Sequence, residues 1–318
     1  MKIAFMGSPD IAATCLRAVA SRHEVVLVVS QPDKPAGRGG KLASPAAAVV
    51  ATELGLPLIQ PRSARTGELA AALAATGAEL AAVVAYGKIL PRTVLDAAPR
   101  GCINVHASLL PKYRGAAPVQ WAVIHGERET GVSIMQLDDG MDTGPVYFER
   151  RVAIGDDETG GELLARLADV GAAALVDAIA AIASGAARAT AQDHAAATLA
   201  PMLDKRDGAI DFGKPAREVA ARVRGVDPWP GAHALLRGQV VKLFRARAVE
   251  AAHAAVPGTV LAIASDGAAI ACGDGAAVRV AELQLPGKKR MPASVVANGR
   301  GIAIGDLLAL PPAEQGAP

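Results

Sequence analysis

Aromatic side chains make up only 3% of the 318 residues, and cysteine occurs three times, at Cys15, Cys102 and Cys272. Isolated thiols in odd number, with no Cys-x-x-Cys pair, exclude a disulfide framework and a zinc knuckle, so all three are expected as reduced core residues. Although 51% of the chain is hydrophobic, no uninterrupted apolar run reaches the ~18 residues that a membrane span needs. The opening Met1-Lys2-Ile3-Ala4-Phe5-Met6-Gly7 lacks the basic start, long apolar centre and cleavage site of a signal peptide. A cytoplasmic protein with no membrane association is therefore expected. Repeats at a fixed spacing are also absent, which excludes a solenoid or propeller.

Missing motifs exclude several chemistries. Met6-Gly7-Ser8-Pro9-Asp10 follows an apolar run as a phosphate loop would, but it lacks the second and third glycines of a dinucleotide fingerprint, and Pro9 removes a backbone donor. No Gly-x-x-x-x-Gly-Lys-Ser/Thr run and no Gly-x-Ser-x-Gly elbow occur, so neither a P-loop triphosphatase nor an elbow-type serine hydrolase is expected.

What is present is a length suited to two domains. In the first half, apolar runs at Lys2–Gly7, Glu24–Gln31, Leu56–Gln60, Leu80–Tyr86, Cys102–His106 and Gly131–Leu137 alternate with helical stretches near 10–21, 45–54, 66–76 and 117–125. That alternation predicts a mostly parallel sheet covered on both faces. A strand at 146–154 and a long helix near 158–184, opened by Asp156-Asp157-Glu158-Thr159, complete it. Residues 185–205 have weak periodicity and read as a linker. After a helix at 214–224, short strands at Ala232–Leu236, Val240–Ala246, Gly258–Ala264, Ala268–Cys272 and Ala277–Leu285 predict a small antiparallel barrel. Pro311 to Pro318 read as a frayed end.

The formal net charge of +2 is unevenly spread: residues 1–203 carry 18 basic and 20 acidic side chains, residues 204–318 carry 15 and 11. The basic tail domain fits an anionic partner, and ordinary surface scatter fits as well.

Gly101-Cys102-Ile103-Asn104-Val105-His106-Ala107-Ser108-Leu109-Leu110-Pro111 is an apolar strand that turns polar at its far end, where open α/β sheets bind ligands. With a period of two, Asn104 and His106 share one face. Bonding to loop backbone explains either residue alone, but the pair at this position favours a functional reading. A carboxamide N–H can donate to an oxygen gaining charge as a carbonyl turns tetrahedral, a donor worth ~3 kcal/mol in the barrier. An imidazole can relieve an attacking amine of its proton. The combination suits acyl transfer to nitrogen.

A third group is available in Gln136-Leu137-Asp138-Asp139-Gly140-Met141-Asp142-Thr143-Gly144-Pro145, a glycine-punctuated loop that follows a strand and so can also sit at the sheet's ligand edge. Asp142 is the candidate, against an ordinary Asx turn and against metal binding by Asp138, Asp139 and Asp142, which no second cluster supports. Gln31-Pro32-Asp33-Lys34-Pro35-Ala36-Gly37-Arg38-Gly39-Gly40-Lys41-Leu42 carries three cations and three glycines. It reads either as a mobile basic loop that orders over a polyanion or as a solvated surface loop.

Together, Asn104-Val105-His106-Ala107-Ser108-Leu109-Leu110-Pro111, Arg114-Gly115-Ala116-Ala117-Pro118 and Asp142-Thr143-Gly144 resemble the folate-dependent formyltransferases. The 31–39 segment, Ala85-Tyr86-Gly87, Asp227-Pro228-Trp229-Pro230 and Gly287-Lys288-Lys289 extend the likeness over nearly the whole chain, toward the branch that acts on charged initiator tRNA. The resemblance implies a Rossmann-like catalytic domain (1–188), a linker (189–206) and a C-terminal OB-like barrel that binds tRNA (207–318). It implies 10-formyltetrahydrofolate as co-substrate, the α-amine of methionine on initiator tRNA as acceptor, no metal, and a monomer. Asn104, His106 and Asp142 become the catalytic trio by the same resemblance. Ser108, Leu109, Leu110 and Pro111 bound the folate pocket, with Ile89 and Leu90 on the pterin side, and Arg38, Lys34 and Lys41 face tRNA. Gly40 stands where the family often carries a second lysine, and Ala107 replaces a common glycine. A formyltransferase acting on a ribonucleotide or amino sugar, and a non-catalytic folate- or RNA-binding module, are the alternatives.

Overall fold

Alternating strand and helix signals become a three-layer α/β unit followed by an antiparallel one. The computed structural model describes residues 1–36 and 40–312. In chain order the elements are β1 (Lys2–Gly7), α1 (Asp10–Ala20), β2 (Glu24–Val29), β3 (Lys34–Ala36), β4 (Lys41–Ala43), α2 (Ala46–Glu53), β5 (Leu58–Ile59), α3 (Glu68–Ala75), β6 (Leu80–Val84), α4 (Arg92–Leu95) and β7 (Cys102–His106). There follow α5 (Pro118–Ile124), β8 (Glu129–Gln136), β9 (Val146–Ala153), α6 (Gly160–Ala183), α7 (Ala216–Gly225), β10 (His233–Leu236), β11 (Gln239–Val249), β12 (Val260–Ala264), β13 (Gly267–Ala271), β14 (Ala277–Gln284), β15 (Met291–Pro292), α8 (Ala293–Asn298) and β16 (Leu308–Ala309). Two units result, neither a single stretch: Met1–Gly115, Thr130–Val152 and Leu164–Ala200 form the first, and Ala116–Glu129, Ala153–Leu163 and Pro201–Pro318 the second.

In the first unit, a seven-stranded sheet runs β5-β2-β1-β6-β7-β8-β9. The chain builds outward from β1 to β2 and β5, then crosses back to β6 and β7, so the order reverses between β1 and β6. These five strands are parallel, which places the C-terminal ends of β1, β6 and β7 along one edge beside that switch point. Residues Ile3 to Met6 and Leu80 to Val84 are buried, as expected for central strands covered on both faces. Val105 projects toward α6: a Cβ added at Gly171 would come within 3.0 Å of Val105 Cγ1. By strand alternation, Asn104 and His106 face the opposite side.

Three local expectations need correction. The basic segment from 33 to 42 is not simply a mobile loop: β3 and β4 pair antiparallel, Lys34 with Ala43 and Ala36 with Lys41. Pairing between 34–36 and 41–43 gives these backbone groups partners that a solvated loop would leave to water. The strand predicted over Leu80–Tyr86 stops at Val84, because Ala85 turns into the left-handed region at φ 45°. Finally, the strand predicted over Gly131–Leu137 runs antiparallel to β7, with Ile103 opposite Gln136 and His106 opposite Ser133.

The second unit holds a sheet in the order β12-β13-β14-β11-β10-β16, with β15 added to β14. Its edges meet: Thr259 bridges Leu307 antiparallel, the Val260 N–H donates to the Asp306 carbonyl at 2.8 Å, and the Leu308 N–H donates to the Gly258 carbonyl at 2.9 Å. Closure removes the free edge and gives the expected small barrel. Its core gathers Phe212, Val223, Leu243, Ile270, Val280 and Leu308, with α7 packed against β11. Cys15, Cys102 and Cys272 are buried free thiols, and burial pushes each up to about 12, out of reach of thiolate chemistry. Among the described residues, no helix is long and apolar enough to cross a membrane.

The first turn of α6, which belongs to this unit, is a capping box. The Thr159 N–H donates to Glu162 Oε2 at 3.0 Å, and the Glu162 N–H donates to Thr159 Oγ1 at 3.2 Å. Arg245 adds a bidentate ion pair to Glu162, at 2.9 and 2.6 Å. With Arg245 as the largest cause and the Thr159 N–H next, the Glu162 carboxyl falls from 4.5 to about 2. A depressed carboxyl stabilises the fold above its unfolded pKa, and that contribution fades as pH falls toward the folded value. Replacement Arg245→Met is therefore expected to lower the thermal midpoint at pH 7, with the gap to wild type narrowing between pH 4.5 and 2. Thermal melts across that range check it, and a gap independent of pH would remove the pair from the account.

Candidate active site

The polar end of β7 is held by the loop that follows it. This loop passes through a cis Leu110–Pro111 bond and a left-handed Tyr113 at φ 61°, which turns the Tyr113 carbonyl back onto the strand. His106, buried at 5% exposure, meets that carbonyl through Nε2 at 2.9 Å. A carbonyl oxygen only accepts, so Nε2 carries a hydrogen in either protonation state, and Nδ1 is left as the one atom of the ring that can gain a proton.

Asp142 faces that atom: its Oδ2 lies 3.7 Å from His106 Nδ1. This separation is too long for a hydrogen bond, and it sets a carboxylate oxygen opposite the uncommitted ring nitrogen. The same Oδ2 accepts the Gly115 N–H at 2.8 Å. Gly115 is at φ 122°, and a Cβ there would lie 2.6 Å from the Ala200 carbonyl oxygen, so only glycine presents its N–H in this way. Oδ1 of Asp142 has no hydrogen-bond partner among the described residues.

Because β8 is antiparallel to β7, the loop carrying Asp142 does not leave at the ligand edge, as the sequence suggested. It leaves beside the start of β7, where the Leu137 N–H donates to the Cys102 carbonyl at 2.8 Å, and folds back. Asp138 organises the return: Oδ1 accepts from the Gly140 N–H at 3.1 Å and from Thr143 Oγ1 at 2.7 Å. Asp139 instead faces Arg92 at 3.5 Å. Among the described residues, no group of three His, Cys, Asp or Glu side chains is arranged to hold a metal ion.

Asn104 lies two residues before His106 on the same strand face and is half-buried. Its carboxamide makes no hydrogen bond among the described residues, so a donor at the strand end is left for a ligand. Ser108 is fully buried. Its hydroxyl donates to the Lys112 carbonyl at 2.6 Å, and its own carbonyl accepts from Ser133 Oγ at 2.8 Å. Leu110 is buried, and Leu109 and Pro111 are half-buried. Beyond the end of β6, Ile89 leaves 79% of its surface exposed, beside a half-buried Leu90. In the basic hairpin, Lys34 Nζ donates to Gln31 Oε1 at 2.8 Å. Arg38 and the Lys41 side chain lie outside the described residues.

Sequence reading missed one part of this surround. Arg114 and Gln192 are both buried polar residues, and Gln192 comes from the segment read as a linker. Its Nε2 donates to the carbonyls of Asp142 at 2.9 Å and Gly144 at 2.7 Å. Weak periodicity around 192 carries no signal of this kind.

A carboxamide without a hydrogen-bond partner among the described residues, an imidazole with one uncommitted nitrogen and a carboxylate opposite it are the groups that acyl transfer to an amine requires. Family models described as formyl transferase and as formyl transferase, C-terminal domain, match residues 1–179 and 202–301. The chain belongs to the formyl transferase family. Within that family it is similar to methionyl-tRNA formyltransferase of Desulfotalea psychrophila, 51% identical over 92% of this chain and 90% of that protein. It is likewise similar to methionyl-tRNA formyltransferase of Sorangium cellulosum, 45% identical over 97% and 99%. The N-formyltransferase of Helicobacter canadensis, solved with folinic acid and dTDP-3-aminofucose, shares the fold. Its TM-score is 0.68 at 16% identity, over 88% of this chain and 98% of that one.

The returning loop has no room for a side chain at Gly144, whose Cβ would run into the Gln136 carbonyl oxygen. Gly144→Ala is expected to destabilise the protein by about 1–3 kcal/mol through the forced backbone shift. Denaturant unfolding measures it, and wild-type stability would show that this loop is not tightly packed.

Proposed function

We infer that this chain transfers a formyl group from 10-formyltetrahydrofolate to the α-amine of methionine carried by initiator tRNA. The observation that carries the reading is the approach of Asp142 Oδ2 to His106 Nδ1, 3.7 Å, on a strand whose Asn104 carboxamide has no hydrogen-bond partner among the described residues. The acceptor is supported by relatives at 51% and 45% identity, both named methionyl-tRNA formyltransferase. An excess of 15 basic over 11 acidic residues beyond position 203 suits a polyanion. The division into a catalytic part (1–188), a linker (189–206) and a tRNA-binding barrel (207–318) belongs to the same reading.

The folate donor supplies an activated formyl carbonyl. Asn104 Nδ2 donates to the carbonyl oxygen as it gains negative charge. His106 Nδ1 takes the proton that the attacking amine sheds, and Asp142 stabilises the imidazolium without accepting that proton. The tetrahedral intermediate then collapses by breaking the bond between the formyl carbon and the folate nitrogen, which takes up a proton as tetrahydrofolate leaves. Oδ1 of Asp142, open to a ligand, orients the amine through one of its N–H groups. An α-amine titrates near ~7.7, so an imidazole is a sufficient base. Leu109, Leu110 and Pro111, with the Ser108 backbone, bound the donor's pocket, and the exposed Ile89 with Leu90 offers an apolar face to the pterin. Arg38, Lys34 and Lys41 engage the tRNA acceptor end.

A small-molecule amine as acceptor is the rival reading, and formylation assayed with charged tRNA against amino sugars and aminoribonucleotides separates the two. Asn104→Ala is expected to lower kcat by roughly 100-fold or more, as loss of one oxyanion donor does. Steady-state formylation checks this, and near-normal turnover would take Asn104 out of the mechanism. Arg38→Ala is expected to raise KM for charged tRNA while leaving folate KM unchanged, and to reduce the salt slope of tRNA binding by about 1. Equal weakening of both substrates would point to a collapsed hairpin instead.

A further inference from the structure

We propose that Gln192 is a positioning residue for Asp142, a role that rests on the site reading above. Asp142 is a non-glycine residue at φ 55°, a conformation that its own chain does not favour and that surrounding contacts must hold. The two hydrogens of Gln192 Nε2 are spent on the two carbonyls that bracket this turn, Asp142 at 2.9 Å and Gly144 at 2.7 Å. Fixing both carbonyls sets which way the intervening backbone faces, and so aims the Asp142 carboxylate at Gly115 and His106.

The orientation of the Gln192 amide is itself determined. Arg114 Nε and Nη2 donate to Gln192 Oε1 at 3.1 and 2.6 Å, and a guanidinium has no acceptor, so the oxygen must face Arg114 and the NH₂ must face the loop. Arg114 is anchored in turn. Its Nη2 lies 3.1 Å from His194 Nδ1, its N–H donates to the Thr198 carbonyl at 2.8 Å, and its carbonyl accepts the Ala200 N–H at 2.7 Å. The Tyr113 N–H, next to the carbonyl that fixes His106, donates to Thr198 Oγ1 at 2.9 Å. One stretch of chain from 192 to 200 thus holds both partners of the catalytic pair.

Gln192→Glu separates positioning from packing. The carboxylate keeps the bond to Arg114, but it has no hydrogen for the Asp142 and Gly144 carbonyls. With the thermal midpoint within a few degrees of wild type, kcat is expected to fall roughly 10- to 100-fold, as small misplacements of reacting groups do. KM for the folate donor and for charged tRNA should stay within about twofold, and in an Asp142→Asn background the added loss should be less than about twofold, since both changes act through one group. Gln192→Met, similar in length and without donors, should give the same kcat loss and the same non-additivity. Wild-type kcat in Gln192→Glu, a loss carried by KM alone, or a loss that multiplies in full with Asp142→Asn overturns the proposal. Impaired Asp142→Asn beside unimpaired Gln192→Glu overturns the positioning role only. Normal turnover of Asp142→Asn overturns the site reading and this role with it.

Discussion

The Tyr113 carbonyl at 2.9 Å from His106 Nε2 is the contact on which the arrangement of the site depends. It commits one ring nitrogen as a donor, so the proposed mechanism places proton transfer at the other. Around it stand the Asp142 carboxylate that faces Nδ1, the Asn104 amide one strand repeat away, and the loop that turns sharply enough at Tyr113 to deliver its carbonyl. A His106 whose Nε2 faced solvent would have two competing tautomers, and Asp142 would then stabilise charge on an atom that the amine need not meet.

Two glycines and two left-handed residues make that delivery possible. Tyr113 and Asp142 are at φ 61° and 55°, and the backbone of each is held by a side chain of the 192–200 segment, Thr198 and Gln192 respectively. Gly115 and Gly144 are required by close backbone approach to Ala200 and Gln136. The site is thus assembled from conformations that isolated loops would not adopt, and their cost is offset by buried hydrogen bonds that would go unmade if the loops relaxed.

Legibility in the sequence follows the range of the interactions. β1, β7, α1 and α7 were readable because a local period of two or 3.6, with apolar burial on one face, decides them. Asn104 and His106 were readable for the same reason: strand alternation alone puts them on one face. Asp142 was identified correctly as a neighbour of His106 but by the wrong route, since strand direction depends on pairing partners that local pattern does not encode. The β3–β4 hairpin escaped notice because its pairing overrides a glycine-rich composition. β16 is two residues long and is a strand only through its pairing with β10.

Gln192 marks the limit of local reading most clearly. A segment with no periodicity and many small residues satisfies every criterion for a passive connection, yet 114, 142 and 192 are brought together across sequence separations that no spacing rule covers. A connection of this kind has to cross the surface near the loops it joins, so its backbone groups need partners in any case. Placing a glutamine where those partners are the carbonyls around Asp142 adds little further cost, because the chain is already ordered there. The same residues that complete the hydrogen bonding of the fold then also hold the backbone on either side of the carboxylate that faces His106.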